Sequence, residues 1–186
     1  MPTVITHSAV PLAIAVGLGE SVISKRLLAA GVVAAILPDL DVLAFRFGIP
    51  YAAEWGHRGF SHSLLFALIV ATAGAGVAQT LLSTARKTFL FLFVVTASHG
   101  VLDAFTNGGL GIAFLWPFSA ERFFAPVHPI EVSPLSLSRV FSARGAAVLW
   151  SEMFWVWLPC LMAAAIAVAW RRNQAQTLRA MERAKS

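Results

Sequence analysis

Leu27-Leu28-Ala29-Ala30-Gly31-Val32-Val33-Ala34-Ala35-Ile36-Leu37-Pro38-Asp39-Leu40-Asp41-Val42-Leu43-Ala44-Phe45 is a run of 19 residues without lysine, arginine or glutamate, yet it carries a proline and two aspartates near its end. An apolar run of about 17–25 residues is what a helix needs to cross a hydrocarbon core about 30 Å thick. Residues 62–82, 89–106 and 147–170 meet the same test, with His62 and His99 as polar interruptions. A fifth stretch, residues 4–19, is shorter and ends at Gly17-Leu18-Gly19, so it reads as a short span or a deeply inserted helix. It lacks the basic start and the small-residue exit of a signal peptide.

Composition agrees. Of 186 residues, 58% are hydrophobic and 12% are charged, against about 25% charged in an ordinary soluble domain. So little charge cannot coat a small water-soluble globule. Disorder requires the opposite composition. A disulfide framework is excluded because Cys160 has no partner cysteine. The expectation is an all-α integral membrane bundle of about 4–5 transmembrane helices forming one domain over residues 1–186. Small residues at Gly31, Ala35, Ala71, Ala75 and Ala78 would let its helices approach closely.

The long connection, residues 107–146, mixes turn formers (Gly108, Gly109, Gly111, Pro117, Pro126, Pro129, Pro134) with Phe114, Trp116, Phe118, Phe123 and Phe124. Such rings favour the headgroup level, so this segment should lie along the membrane surface. Orientation follows from the cations. With five spans, Lys25, Arg26, Arg86, Lys87, Arg171, Arg172, Arg179, Arg183 and Lys185 share one side, nine of fourteen. Arg46, Arg58, Arg122, Arg139 and Arg144 share the other. The positive-inside rule then puts the tail, residues 171–186, in the cytoplasm. The net charge of +5 is mostly this topology signal. Anionic lipids, rather than nucleic acid, are the expected partners of a basic juxtamembrane tail.

On the same map, His7 lies at the start of span one, Asp39 and Asp41 at the end of two, His57 and His62 at the mouth of three, and His99 and Asp103 at the end of four. In an up-and-down path these positions share one membrane face, the outer one. All three aspartates and four of the five histidines converge there. His99 and Asp103, four residues apart, stack on one helix face. Pro38 removes a backbone donor, and in an unwound segment Asp39 and Asp41 could point the same way.

Imidazole and carboxylate together suit a divalent metal: zinc first, with manganese, iron or magnesium as alternatives. His7, Asp39, Asp41, His57, His62, His99 and Asp103 are therefore the candidate ligands or their immediate partners. Seven groups exceed one tetrahedral site and leave room for two ions, which would activate a water and clamp a phosphoryl oxygen. Arg58 could hold a phosphate fork-wise, with Asn107 beside it. His128 lies on the same side but outside the cluster. Taken singly, each residue has a plainer use: a packing histidine, a helix-capping Asp39, an Asp103 paired with Arg122. A proton relay would use a similar set. No serine–histidine–aspartate spacing marks Ser61 or Ser98 as a nucleophile, and Gly108-Gly109-Leu110-Gly111 lacks the lysine of a phosphate loop.

Thr6-His7-Ser8, Pro38-Asp39-Leu40-Asp41, His57-Arg58-Gly59-Phe60-Ser61-His62-Ser63, His99-Gly100-Val101-Leu102-Asp103 through Gly109, and Leu115-Trp116-Pro117-Phe118 together resemble the YdjM-like family. These are bacterial inner-membrane proteins described as metal-dependent hydrolases, some of them regulated by LexA in the DNA-damage response. The likeness covers residues from about 6 to 135; the last span and tail carry no such signature. It implies a multi-span protein of the cytoplasmic (inner) membrane whose histidine and aspartate motifs bind metal, and it implies no particular substrate. The His99–Asp103 spacing is also similar, more distantly, to zinc-dependent phospholipase C and nuclease-type sites.

The leading expectation is a membrane-embedded hydrolase of a phosphate ester, such as a phospholipid or a lipid-linked phosphate, working by metal-activated water. Its rivals are a metal- or proton-coupled transporter and an adaptor with a structural metal. A transporter would want a polar path through the membrane. The cytoplasmic half of spans two to four offers little beyond Gln79 and Thr80.

Overall fold

The structure, a computed structural model, describes residues 1–133 and 142–183, so Pro134, Arg139 and Lys185 lie outside it. Six α-helices carry the chain: α1 (Ala9–Leu18), α2 (Lys25–Ile36), α3 (Leu64–Gly76), α4 (Ala85–Ala104), α5 (Ala143–Glu152) and α6 (Leu158–Arg183). No strand occurs among the described residues, only the isolated bridges Thr106–Ile130 and Ile112–Phe123 in the long connection. The molecule is a helical membrane bundle.

Helix starts are written locally. Ser24, Ser63, Thr84 and Ser142 each precede a helix and accept a hydrogen bond from the backbone N–H three residues on, satisfying one of the donors a helix leaves free. Pro38 ends α2. Its missing N–H breaks the α ladder, and the chain continues as a 3-10 helix over Leu37–Phe47. Together these make Lys25–Phe47, one of three helices among the described residues that are long and apolar enough to cross a membrane, beside Ala85–Ala104 and Ala143–Arg183.

Two helices are shorter than their apolar runs. Thr6–Leu18 and Leu64–Gly76 fall below spanning length. Residues 77–82, expected to continue the third span, instead close i→i+3 turns such as Thr80 N to Val77 O and Leu82 N to Gln79 O. Gly74 and Gly76 weaken the helix just before this change. At its other end, Ala143–Arg183 widens into a π turn over Met153–Trp157.

α3 packs along α4, α2 against α4, and α1 against α6. Small residues make the contacts close, as the sequence suggests. Ala35 and Ala71 are wholly buried. A Cβ on Gly31 would sit 2.3 Å from the Phe91 ring. Leu27, Phe91 and Val95 fill the core between these helices, while Val33, Leu90, Ile166 and other large apolar side chains stay exposed, as lipid-facing positions do. α4, at the centre, carries His99 and Asp103 to the end of the bundle where the 3-10 turn of α2 and the loop before α3 meet.

Candidate metal centre

Each polar side chain arrives on its own element. His7 comes from a 3-10 turn, Thr6–Ser8, leading into α1. Asp39 and Asp41 sit in the 3-10 helix after Pro38. His57, Arg58 and His62 belong to the loop before α3, and His99 and Asp103 to α4. Packing is tight here: a Cβ on Gly100 would lie 3.0 Å from the His62 carbonyl. All seven candidate ligands are brought together, with His7, Asp39, His57, His62, His99 and Asp103 buried.

They divide into two groups that meet at His62. Asp39, His62, His99 and Asp103 each offer one ligand atom, all within 4.8 Å of one another, and Asp41, His57 and His62 do the same. The sequence expectation that Asp39 and Asp41 share one direction needs correction. The segment is a 3-10 helix, not an unwound one, so residues two apart are about 240° apart. Asp39 turns to His99, with Oδ1 3.3 Å from Nε2. Asp41 turns to His57 and His62.

Asp41 is saturated. Its carboxylate accepts from His57 Nδ1 at 2.5 Å, Arg58 N at 3.1 Å and Ser61 Oγ at 2.6 Å, and His62 Nδ1 lies 3.1 Å away. The other group is the reverse. His99 Nδ1 donates to the Ala35 carbonyl at 2.7 Å, and a carbonyl only accepts, so a neutral His99 presents a bare lone pair at Nε2. The Ser61 hydroxyl donates to Asp41, so His62 Nδ1, between Ser61 Oγ and Asp41, carries a proton, and a neutral His62 presents a bare lone pair at Nε2 as well. These two nitrogens face each other at 3.1 Å. Asp103 Oδ2 lies 3.4 Å from His62 Nε2. Among the described residues, no hydrogen-bond partner reaches either carboxylate oxygen of Asp39 or Asp103, or either ring nitrogen of His7.

With both histidines neutral, four acceptors face one another here. Buried polar groups are normally paired, and like lone pairs repel. A divalent ion at about 2.0–2.2 Å from tetrahedral ligands separates those ligands by about 3.3–3.6 Å; the contacts linking the four groups in a chain are 3.1, 3.3 and 3.4 Å, and all ligand atoms lie within 4.8 Å of one another. The donors on the far side of each imidazole ring, Ala35 O and Asp41, are the partners metal-binding histidines use. Charge points the same way. With the histidines neutral, the buried carboxylates of Asp39 and Asp103 and the half-buried one of Asp41, against the guanidinium of Arg58, leave two negative charges that a divalent ion would cancel. The residues fit a metal.

His7 lies flat on His99, ring centroids 3.6 Å apart and planes at 13°, with Nε2 3.7 Å from Asp103 Oδ1 and 3.9 Å from Asp39 Oδ2. Arg58 is wholly buried. Its Nε lies 3.2 Å from Asp103 Oδ2, while its two terminal nitrogens donate to the Gly108 carbonyl and Thr106 Oγ1, both at 2.8 Å. Its backbone holds φ 65°, a left-handed conformation that persists only where surroundings enforce it. Asn107 turns away: it is exposed, and its Oδ1 accepts from Val132 N. Arg122 does not reach Asp103; it donates to the His57, Ala52 and Ala53 carbonyls. His128 is exposed against Phe124. Tyr51, edge-on to His57 at 5.0 Å, has its phenol pushed above its ordinary pKa by burial and stays protonated. Trp116, Trp55 and Phe60 pack edge to edge, which seats the long connection on the loop that carries His57 and His62.

The sequence profile of the YdjM inner membrane protein family matches residues 1–175. The chain belongs to the YdjM inner membrane protein family. The inner membrane protein YbcI of Escherichia coli (strain K12) is 49% identical over 174 residues, which is 93% of this chain and 100% of that protein. No solved structure matches. Membership places this multi-pass chain in the inner membrane, as the motifs between His7 and Phe118 imply.

Sequence reasoning missed Glu152. It is 1% exposed in the last span, where its carboxylate accepts from Thr3 N, Thr3 Oγ1 and Thr6 Oγ1. Thr6 Oγ1 in turn accepts from Trp157 Nε1 at 3.1 Å. The signal was there: Glu152 is the only charged residue within residues 147–170, and an ionisable group at that depth asks for a partner. Thr88 and Thr96, buried on the same face of α4 as His99, were missed too.

Proposed function

We propose that this chain is a metal-dependent hydrolase embedded in the inner membrane, cleaving a phosphate ester of a lipid or lipid-linked phosphate at the outer membrane face. One observation carries the reading: Asp39, His62, His99 and Asp103 converge, buried, at one end of a membrane bundle, with the oxygens of both carboxylates lacking hydrogen-bond partners among the described residues. Asp39, His62, His99 and Asp103 would hold a single divalent ion, zinc by ligand type. Such an ion would supply Lewis acidity to water or to a phosphoryl oxygen only at a coordination position that these four groups leave open.

The chain's own groups do the rest. Arg58 keeps Asp103 ionised and aimed, because its guanidinium is spent on Asp103, Thr106 and Gly108 and is not a free phosphate fork. Asp41 and His57 hold His62 in the tautomer that presents Nε2. His7, with both ring nitrogens unpartnered, is positioned to take a proton at Nε2. The surplus of cations at the opposite end supports an outer-facing site and a cytoplasmic C-terminus. A reporter fused at the C-terminus should therefore be active only in the cytoplasm, and activity confined to the periplasm overturns this orientation.

A transport reading draws on one observation. Among the described residues, the buried hydroxyls of Thr88 and Thr96 lack partners on the α4 face that leads to His99. Detergent-purified protein separates the two: release of phosphorylated headgroups from a phospholipid panel, lost in His7→Gln while bound metal is kept, supports hydrolysis. Metal flux into proteoliposomes without headgroup release supports transport and contradicts hydrolysis.

A further inference from the structure

A cavity of about 630 Å³ lies between the N-terminal segment, the 3-10 helix after α2 and the α5–α6 junction. Its volume is that of a small-molecule site. Val4, Ile5, Val42, Leu149, Met153 and Trp157 supply most of its wall. Two carboxylates also line it, and they differ in kind. Glu152 is turned onto Thr3 and Thr6, which occupy its oxygens. Asp39 also lines the cavity, its carboxylate oxygens buried beside it against His7 and His99 without a hydrogen-bond partner among the described residues, and it belongs to the group that fits a metal. The wall is therefore mostly apolar, with the Glu152–Thr3–Thr6 network satisfied within itself and Asp39 marking where the cavity borders the candidate centre.

Its rim is apolar too. Ile5 is 74% exposed, and Val4, Leu149 and Met153 are each about half exposed. In a membrane, exposed side chains of this kind face acyl chains, so the cavity is open to lipid.

We infer that this cavity receives the apolar chain of a phosphate-bearing amphiphile that enters sideways from the bilayer and sets its headgroup at Asp39. This deepens the hydrolase reading and rests on it for the fate of the headgroup, though not for the binding of the chain. The Glu152–Thr3–Thr6 network holds the wall in place: it ties the segment before His7 to the last span, and its carboxylate is withdrawn from the chain's path.

The probe is phosphatidic acid with a photoreactive diazirine in one acyl chain, in vesicles with the detergent-purified, metal-loaded protein, followed by peptide mapping. Cross-links are expected in residues 1–6 and 149–157. Leu149→Trp and Met153→Trp, which fill the cavity, should lower that labelling about tenfold, equivalent to about 1.4 kcal/mol of binding, while bound metal and the thermal transition are unchanged. Labelling confined to residues 158–170, or labelling that both fillings leave intact, overturns the proposal. Turnover is read separately. A wild type that releases no headgroup breaks the hydrolase reading, while the cross-link map still decides the cavity.

Discussion

Glu152 and the pair Asp39 and Asp103 are carboxylates buried to nearly the same depth, at 1%, 5% and 0% exposure, and they line neighbouring parts of one molecule. Around Glu152 the protein supplies a backbone N–H and two hydroxyls. Around Asp39 and Asp103 it supplies bare imidazole nitrogens and, for Asp103 alone, one guanidinium. A buried charge must be paired or it does not stay charged. Glu152 is satisfied from within and reads as a latch between the first and last spans. The aspartate pair is built to be satisfied from outside. Burial and the carboxylate group are common to both places, and only the character of the neighbours tells function from structure.

The largest effect expected is from Arg58→Ala, which leaves Asp103 without its counter-charge. Breaking a buried pair from one side costs about 3–5 kcal/mol, so the thermal transition in detergent should fall steeply, and a change within error would break the pairing described here. Chelation comes next. Removing an ion held at a free concentration of 100 times its Kd should cost about 2.7 kcal/mol, seen as a lower transition after dialysis against a strong chelator and restored by zinc. Asp39→Asn should abolish that chelator effect.

Asp41→Asn keeps the ligands but disturbs the tautomer of His62. Loss of such an outer partner weakens metal affinity about 10–100-fold, measurable by competition with a chromogenic chelator, with the bound stoichiometry unchanged at saturating metal. Glu152→Gln sharpens the contrast from the other side. It replaces an acceptor of three hydrogen bonds by one with fewer lone pairs, costing about 1–3 kcal/mol in thermal stability with no change in metal affinity. Were metal affinity to fall as far as in Asp41→Asn, the two acidic regions would be one.

Much of this was legible in the chain. Apolar run length gave the bundle, and the up-and-down path alone brought His7, Asp39, His62, His99 and Asp103 to one end. What the path could not show was direction. Pro38 signals a broken helix, but whether the break opens the chain or tightens it to a 3-10 turn depends on packing, and that choice separates Asp39 from Asp41. Arg58 looked available for phosphate because nothing local marks its partners; Thr106, Gly108 and Asp103 reach it only through the fold. The third span ended early because residues 77–82 close tight turns, which a hydropathy run does not register. Glu152 was overlooked for the opposite reason: its network joins residues 3 and 6 to residue 152, a separation no local motif spans.

Elemental analysis of the detergent-purified wild type, beside His99→Ala, Asp39→Asn and Glu152→Gln, bears on the centre most directly. One divalent ion per chain is expected in the wild type and in Glu152→Gln, with none in His99→Ala and Asp39→Asn. A wild type with no stoichiometric ion, or variants of His99 and Asp39 that keep it, would contradict the account.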